Sequence, residues 1–419
     1  MRFGYRGYVL SILTLIYCVS YMDRQIIAVL SPQIKGDLGL SDTQLGLLKG
    51  TAFALFYSTM AIPLAILGDR TNRTKLVAAS LALWSATTAL CGLATGFIQL
   101  FALRMAVGIG EAGSTPSSHS LLADYFERAK RSTALAIYSL GVPLGTLVGL
   151  MFGGWLADRF GWRTTLVVLG APGVLLAVVT MLTVDDRPRG AAETGSAPLA
   201  PRGSIRSAAR LLFSIPAYRT IVISGAFTAF AGYAISMWMV DFYVTTRHVP
   251  IASVSFWLAL AFGVGGGIGT LGGGLAADRF GRKDASHYLV IPGIALVAAA
   301  PLILLCVSAP TMAVSIASLF VVNGLMYASF GPLYGLIQTL TPIGNRSLAV
   351  SLHLLFQSVV GAGLGPLAIG VASDLLSLSM PRGAALTAAL GALAVPLLVS
   401  GAVLLAGRRR LVGDTVAPR

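Results

Sequence analysis

The sequence predicts an all-α polytopic membrane protein, with twelve spanning helices arranged as two pseudo-symmetric six-helix bundles. Three observations predict it. Of 419 residues, 56% are hydrophobic and 11% are charged, whereas a soluble domain carries about 25% charge. The apolar residues fall in repeated blocks of about twenty, the length that crosses a bilayer as helix. A loop pattern also recurs at matching places in the two halves, as AILGDRTNRTK at 65–75 and GLAADRFGRK at 274–283, with a further copy, GWLADRFGWR, at 154–163.

Windows of about 19 residues place the first-half spans near 8–32, 42–67, 75–97, 99–123, 131–157 and 164–184. The second half supplies spans near 216–242, 253–276, 285–307, 310–338, 346–373 and 384–407. The first span follows a short basic start and runs on into YMDRQ with no small-residue cleavage site, so it reads as a retained helix rather than a signal peptide. The third and fourth divide around Ala94–Gln99. The fifth carries Gly141, Gly145, Gly149 and Gly153 at spacing four, a smooth face for close helix approach. Pro143 in that helix, and Pro366 beside Gly361, Gly363, Gly365 and Gly370 in the eleventh, predict bends. Domain limits follow at 1–185 and 215–419. The linker at 186–214 is rich in Pro, Gly and small polar residues that cannot form a core, and SIRSAARLLFSIP at its end reads as a short interfacial helix with Arg206 and Arg210 four apart.

Charge orients the chain. With both termini cytoplasmic, the inside segments take most of the 30 Lys and Arg residues, and the outside loops hold Lys35, Arg159, Arg163, Arg247 and Arg382. That asymmetry is the positive-inside pattern, and it accounts for the net charge of +14 through membrane lipids rather than nucleic acid. Four His and three Cys with no CxxC pair argue against a metal framework. With no Walker A loop or nucleophilic triad, neither an enzyme nor an ATP-driven pump is expected.

Charged residues inside apolar spans mark a lumen, an ion pair or a proton site. Asp23 and Arg24 interrupt the first span, and Arg104 and Glu111 the fourth. Arg104 and Glu111 share a face but lie about 10.5 Å apart along the axis, so partners on other helices are expected for both. Asp23 has Arg24 or an arginine of another helix as partner. Proton exchange at Asp23 or Glu111, with Arg24 or Arg104 stabilising the deprotonated state, would bias inward against outward forms. Each recurring loop sets an Asp at a helix end before several basic residues. That makes Asp69 and Arg70, with Asp124 and Arg131, one candidate gate, and Asp278, Arg279 and Arg282 another. His119 and His353 are candidate pH-responsive groups.

At these residues the chain resembles the major facilitator superfamily. Gly274, Asp278, Arg279, Gly281, Arg282 and Lys283 match the helix 2–3 loop motif in its second-half copy. The first-half copy retains Asp69, Arg70, Arg73 and Lys75 and departs from it at Ala65 and Asn72. YMDRQIIAVLSPQIKGDLGLSDTQLGLL at 21–48, FYSTMAIPLAILGDRTNR at 56–73 and RMAVGIGEAGSTPSSHSLLADYF at 104–126 resemble the Spinster branch. The resemblance implies Asp23, Arg24, Arg104 and Glu111 as functional groups, sphingolipid, lysophospholipid or other amphipathic cargo, and proton-linked alternating access.

Soft and aromatic groups in the second half suit a tail-binding wall: Phe230, Tyr233 and Met237 in one span, and Asn323, Tyr327, Phe330 and Tyr334 at helical spacing in another. Tyr57 joins them from the first half. The expected function is thus a proton-linked secondary transporter of an amphipathic lipid-like or drug-like substrate. A carrier of a small organic anion or sugar is the alternative, and a membrane receptor or scaffold the third. No cofactor is expected beyond the proton as coupling ion. The compact chain reads as a monomer in a bacterial inner membrane.

Overall fold

The computed structural model describes residues 3–189, 205–281, 284–342 and 345–415, with the side chains of Phe3, Asp69, Arg128, Ala129, Ser132, Ile205, Ser347 and of the residues from Arg410 on outside the description. The described residues are helical with no strand. We number the helices α1 (Phe3–Leu38), α2 (Asp42–Gly68), α3 (Arg73–Cys91), α4 (97–125), α5 (128–160), α6 (162–183), α7 (Ile205–Ser214), α8 (Pro216–Thr246), α9 (Ile251–Gly281), α10 (His287–Ser308), α11 (Met312–Leu340), α12 (Leu348–Leu376) and α13 (Arg382–Arg409). Ten helices among the described residues are long and apolar enough to cross a membrane. One of them, Thr133–Thr183, holds two crossings that turn at Gly161, whose φ of 75° and ψ of 169° only glycine adopts readily. A further crossing, α4, breaks at Gly113 into Phe97–Ala112 and Ser114–Tyr125. All twelve expected crossings are therefore present, and the amphipathic α7 stands where a short interfacial helix was expected.

Local signals explain the boundaries. Gly39 (φ 62°) ends α1, with Leu40 N donating back to the Lys35 carbonyl as glycine C-caps do. Ser41 and Gln44 form a reciprocal capping box at the start of α2. Asn72, where the family motif has glycine, is the N-cap of α3, its Oδ1 accepting from Lys75 N at 2.8 Å. The substitution thus keeps a tight turn by capping it. A break at Leu140 precedes Pro143, and a π-helical stretch, Gln357–Leu364, precedes Pro366. In both places the proline cannot donate to the carbonyl four residues back.

Two compact units result, one comprising Met1–Pro198 with Tyr243–Ala259, the other Leu199–Phe242 with Leu260–Arg419. In the first unit α5 lies directly on α1. A Cβ built on Gly141, Gly145, Gly149 or Gly153 would meet Thr14, Cys18, Met22 or Ile26, each four residues further along α1. At Gly145 the Cys18 carbonyl oxygen would be only 2.2 Å away. Backbone cannot give way as a side chain does, so Gly145→Ala is expected to destabilise the unit by about 1–3 kcal/mol. A fall in thermal unfolding temperature in detergent, absent for Gly36→Ala, where nothing lies within 4 Å, checks this. The third loop copy closes the opposite edge of this unit: Arg163 pairs with Asp37 at 2.7 Å and donates to the Ala94 carbonyl at 2.6 Å.

In the second unit, Trp238 is fully buried on α8 and donates its indole N–H to the Pro366 carbonyl at 2.8 Å. Asp284, in the α9–α10 turn, accepts from Ser286 N and Oγ, and these bonds hold its carboxyl below the usual carboxylate range. The depressed value means this turn is supported above the ordinary carboxylate pKa and loses that support as pH falls through the lowered one.

Candidate functional site

The four charged residues that interrupt the spans come together inside the first unit. Asp23, Arg104 and Glu111 are buried at 0%, 2% and 1% exposure. Arg24 Nε donates to Glu111 Oε2 at 2.8 Å, and Ser20 Oγ donates to the same oxygen at 2.8 Å. Asp23 faces the other way on α1, taking a hydrogen bond from Thr88 Oγ1 of α3 at 3.1 Å and feeling the charges of Glu111 and Arg104. Adjacent residues of one helix thus engage two neighbours, because they point about 100° apart. Asp23 Oδ1, Glu111 Oε1 and Arg104 Nε have no hydrogen-bond partner. Buried charged atoms left unsatisfied are costly.

Aromatic rings surround the pair. The Arg24 guanidinium carbon lies 4.8 Å from the ring centre of Tyr21, 4.9 Å from Phe53 and 4.7 Å from Tyr57, and Phe53 and Tyr57 stack on one another. Tyr57 was a candidate from sequence; Tyr21 and Phe53 were not. The column continues from Tyr21 through Tyr17 to Tyr138, with His119 edge-on to Tyr138 at 5.2 Å. Tyr17, Tyr21 and Arg24 stand at helical spacing, a signal the sequence carried. Each cation–π contact contributes about 0.5–2 kcal/mol. Tyr57→Leu is therefore expected to loosen Arg24 and lower stability by about 0.5–2 kcal/mol while Tyr57→Phe retains it; thermal unfolding of the detergent-solubilised variants checks this. Lys49, which the sequence reading passed over, is also buried in α2.

A second cluster lies at the α2–α3 turn. Its centre is Arg73, 1% exposed, which pairs with Asp124 of α4 and with Asp186 just beyond α6. Its Nε and backbone N–H donate to Asp186 at 2.9 and 2.8 Å, and Nη1 donates to Ser120 Oγ at 2.9 Å. Arg73 thus engages Asp124. Arg70, the partner expected from sequence, is exposed, since the helix end turns it outward while Arg73 opens the next helix facing in. Arg131 donates to the Ala123 carbonyl at 2.7 Å. The Asp69 side chain lies outside the described residues. The linker starts tied down: Arg187 sits over the Tyr125 ring at 4.4 Å, and Arg189 donates to the Gly68 carbonyl at 2.7 Å. In the second unit, Asp278 and Arg279 are exposed at the end of α9, and Arg282 lies outside the described residues.

The second unit joins several of the aromatic candidates. Tyr327, Phe330 and Tyr334 form a ladder along α11, and Tyr334 meets the His353 ring edge-on at 5.4 Å. His353 is buried against Gly225 of α8, and its Nε2 lies 3.2 Å from Gln357 Nε2. Asn323 and Met237 are buried, Phe230 is half-buried and Tyr233 is exposed. Asn323 Nδ2 lacks a hydrogen-bond partner.

Twelve membrane crossings with opposed charges buried among them define a multi-pass membrane protein of the transporter type. The chain belongs to the Major Facilitator Superfamily, whose family model matches residues 13–366. It is 33% identical over 370 residues to an MFS-type efflux pump of Mycolicibacterium smegmatis, covering 87% of this chain and 84% of the relative. It is 28% identical over 397 residues to the human Protein spinster homolog 1, covering 90% and 75%. Among solved structures it matches a bacterial homologue of the human lysosomal transporter Spinster with a TM-score of 0.91, 29% identity and full coverage of both chains. A D-xylose–proton symporter shares the fold at a TM-score of 0.72 and 16% identity, covering 96% and 97%.

Proposed function

We propose that this transporter is proton-linked and moves an amphipathic, lipid-like or drug-like substrate by alternating access. The observation that carries the reading is the buried set of Asp23, Arg24, Arg104 and Glu111, in which each carboxylate keeps one oxygen without a hydrogen-bond partner. A proton arriving at Glu111 weakens its bond to Arg24 and alters the relative cost of two conformations. Substrate affinity that differs between those conformations completes the coupling. The aromatic cage of Arg24 suits cargo with a polar head beside an apolar body. Similarity to an efflux pump and to Spinster proteins supports the same class. The positive-inside rule puts both termini in the cytoplasm, the two six-helix halves act as the moving bodies, and the membrane is a bacterial inner membrane.

The test is proton movement in proteoliposomes on adding a lysophospholipid, a sphingoid base, or polar organic anions and sugars in turn. Cargo-dependent proton movement with the amphipathic compounds alone is expected. A response confined to the polar solutes would overturn the substrate class, and cargo flux without any proton movement would overturn the coupling.

A further inference from the structure

The second unit carries two adjoining cavities, one apolar and one mixed, that share Arg219. The first has a volume of about 350 Å³ and lies among Phe213 of α7, Val222 and Phe227 of α8 and Phe356 of α12. The second, about 630 Å³, lies between Thr220 of α8 and Val403 and Gly407 of α13. Arg219 and Ile223 line both, and Arg219 is exposed. Thr220 and Gly407 touch closely, a Cβ on Gly407 meeting Thr220 Cγ2 at 2.4 Å, so the helices meet at that contact beside the second cavity.

Charge tells what fits there. Arg206, Arg210 and Phe213 stand at i, i+4 and i+7 on α7, hence on one stripe, and Phe213 packs on Tyr218 and Phe356 beside the first cavity. Both arginines are exposed. Residues 205–240, 346–373 and 382–413, the stretches that build these walls, contain no Asp or Glu and several further arginines. Ile223, Phe227 and Phe356 are exposed hydrophobics at 47%, 37% and 39%, as on a surface that meets acyl chains. A cationic rim over one apolar groove and a second lined by Ile223, Val403 and Ala406 beside Thr220 matches a ligand with one anionic head and two hydrocarbon tails.

We infer that this face is a binding site for an anionic diacyl phospholipid, with Arg219 holding the headgroup phosphate and an acyl chain in each cavity. Arg210 adds charge at the rim. The site is separate from the buried charge set of the first unit and does not depend on what that set transports.

Native mass spectrometry of the full chain released from detergent, titrated with phosphatidylglycerol or with phosphatidylcholine of the same acyl chains, tests it. One phosphatidylglycerol per chain is expected to bind about tenfold or more tighter than phosphatidylcholine. Each arginine near a membrane surface contributes about fivefold, so Arg219→Gln should weaken phosphatidylglycerol about fivefold and Arg219→Gln with Arg210→Gln further still. Ala226→Trp, which fills the first cavity, should weaken both lipids. Equal affinity for the two lipids would overturn the proposal. So would unchanged phosphatidylglycerol binding in folded Arg219→Gln and Ala226→Trp, or a two-chain species that excludes lipid from this face.

Discussion

Proteoliposomes carrying Glu111→Gln are expected to lose cargo-dependent proton movement by about one to two orders of magnitude, the span of a coupling free energy of 1–3 kcal/mol. Glutamine keeps the shape of the side chain and its bond to Ser20, but it neither titrates nor neutralises Arg24. The fold also suffers. Removing one partner of a buried ion pair costs about 3–5 kcal/mol, and the lower end applies here because the Arg24 side chain retains 17% exposure and its aromatic cage. Arg24→Gln with Glu111→Gln removes both charges, so it should recover most of the thermal stability while still failing to couple. That contrast separates a titrating group from a structural salt bridge. Wild-type proton movement in Glu111→Gln would sink the mechanism, and loss confined to Asp23→Asn would move the proton site to α1.

Arg73→Ala is expected to be the most destabilising single change, lowering stability by about 3–5 kcal/mol. Two carboxylates, Asp124 and Asp186, face this guanidinium, and its loss removes the cation that both of them share. Arg73→Lys should recover only part, since an ammonium lacks the planar fork that reaches both acids and Ser120. Arg70→Ala, three residues away and exposed, should stay within about 0.5 kcal/mol. Thermal unfolding of the detergent-solubilised variants decides this, and equal losses at Arg70 and Arg73 would contradict the assignment of Arg73 as the anchor. Because Asp186 begins the linker, Asp186→Asn should expose the following segment to protease more readily than Arg70→Ala does.

The membrane class, the twelve crossings and the four intramembrane charges were legible in the linear chain because hydrophobic length and the cost of a charge in hydrocarbon are local properties. The glycine repeat at 141–153 was legible too, since spacing four maps onto one helix face whatever lies opposite. Asn72 was harder to read: as a departure from the glycine of the family loop it signalled an altered turn, and only its cap to Lys75 shows the turn preserved.

Partnership was not legible. The sequence offered either carboxylate Arg24 or Arg104 without choosing between them, whereas the fold joins Glu111 to Arg24 across 87 residues and sets Asp23 against Thr88. It likewise grouped Asp124 and Arg131 with Asp69 or Arg70 and gave Arg73 only as part of the loop motif, because which of two neighbouring arginines turns inward depends on where one helix stops and the next begins. The sequence by itself determined the solvent this chain lives in and which residues are too costly to bury without purpose. The tertiary structure alone decided which of those residues meet, because ion pairs and aromatic cages form between helices whose separation along the chain says nothing about their separation in space.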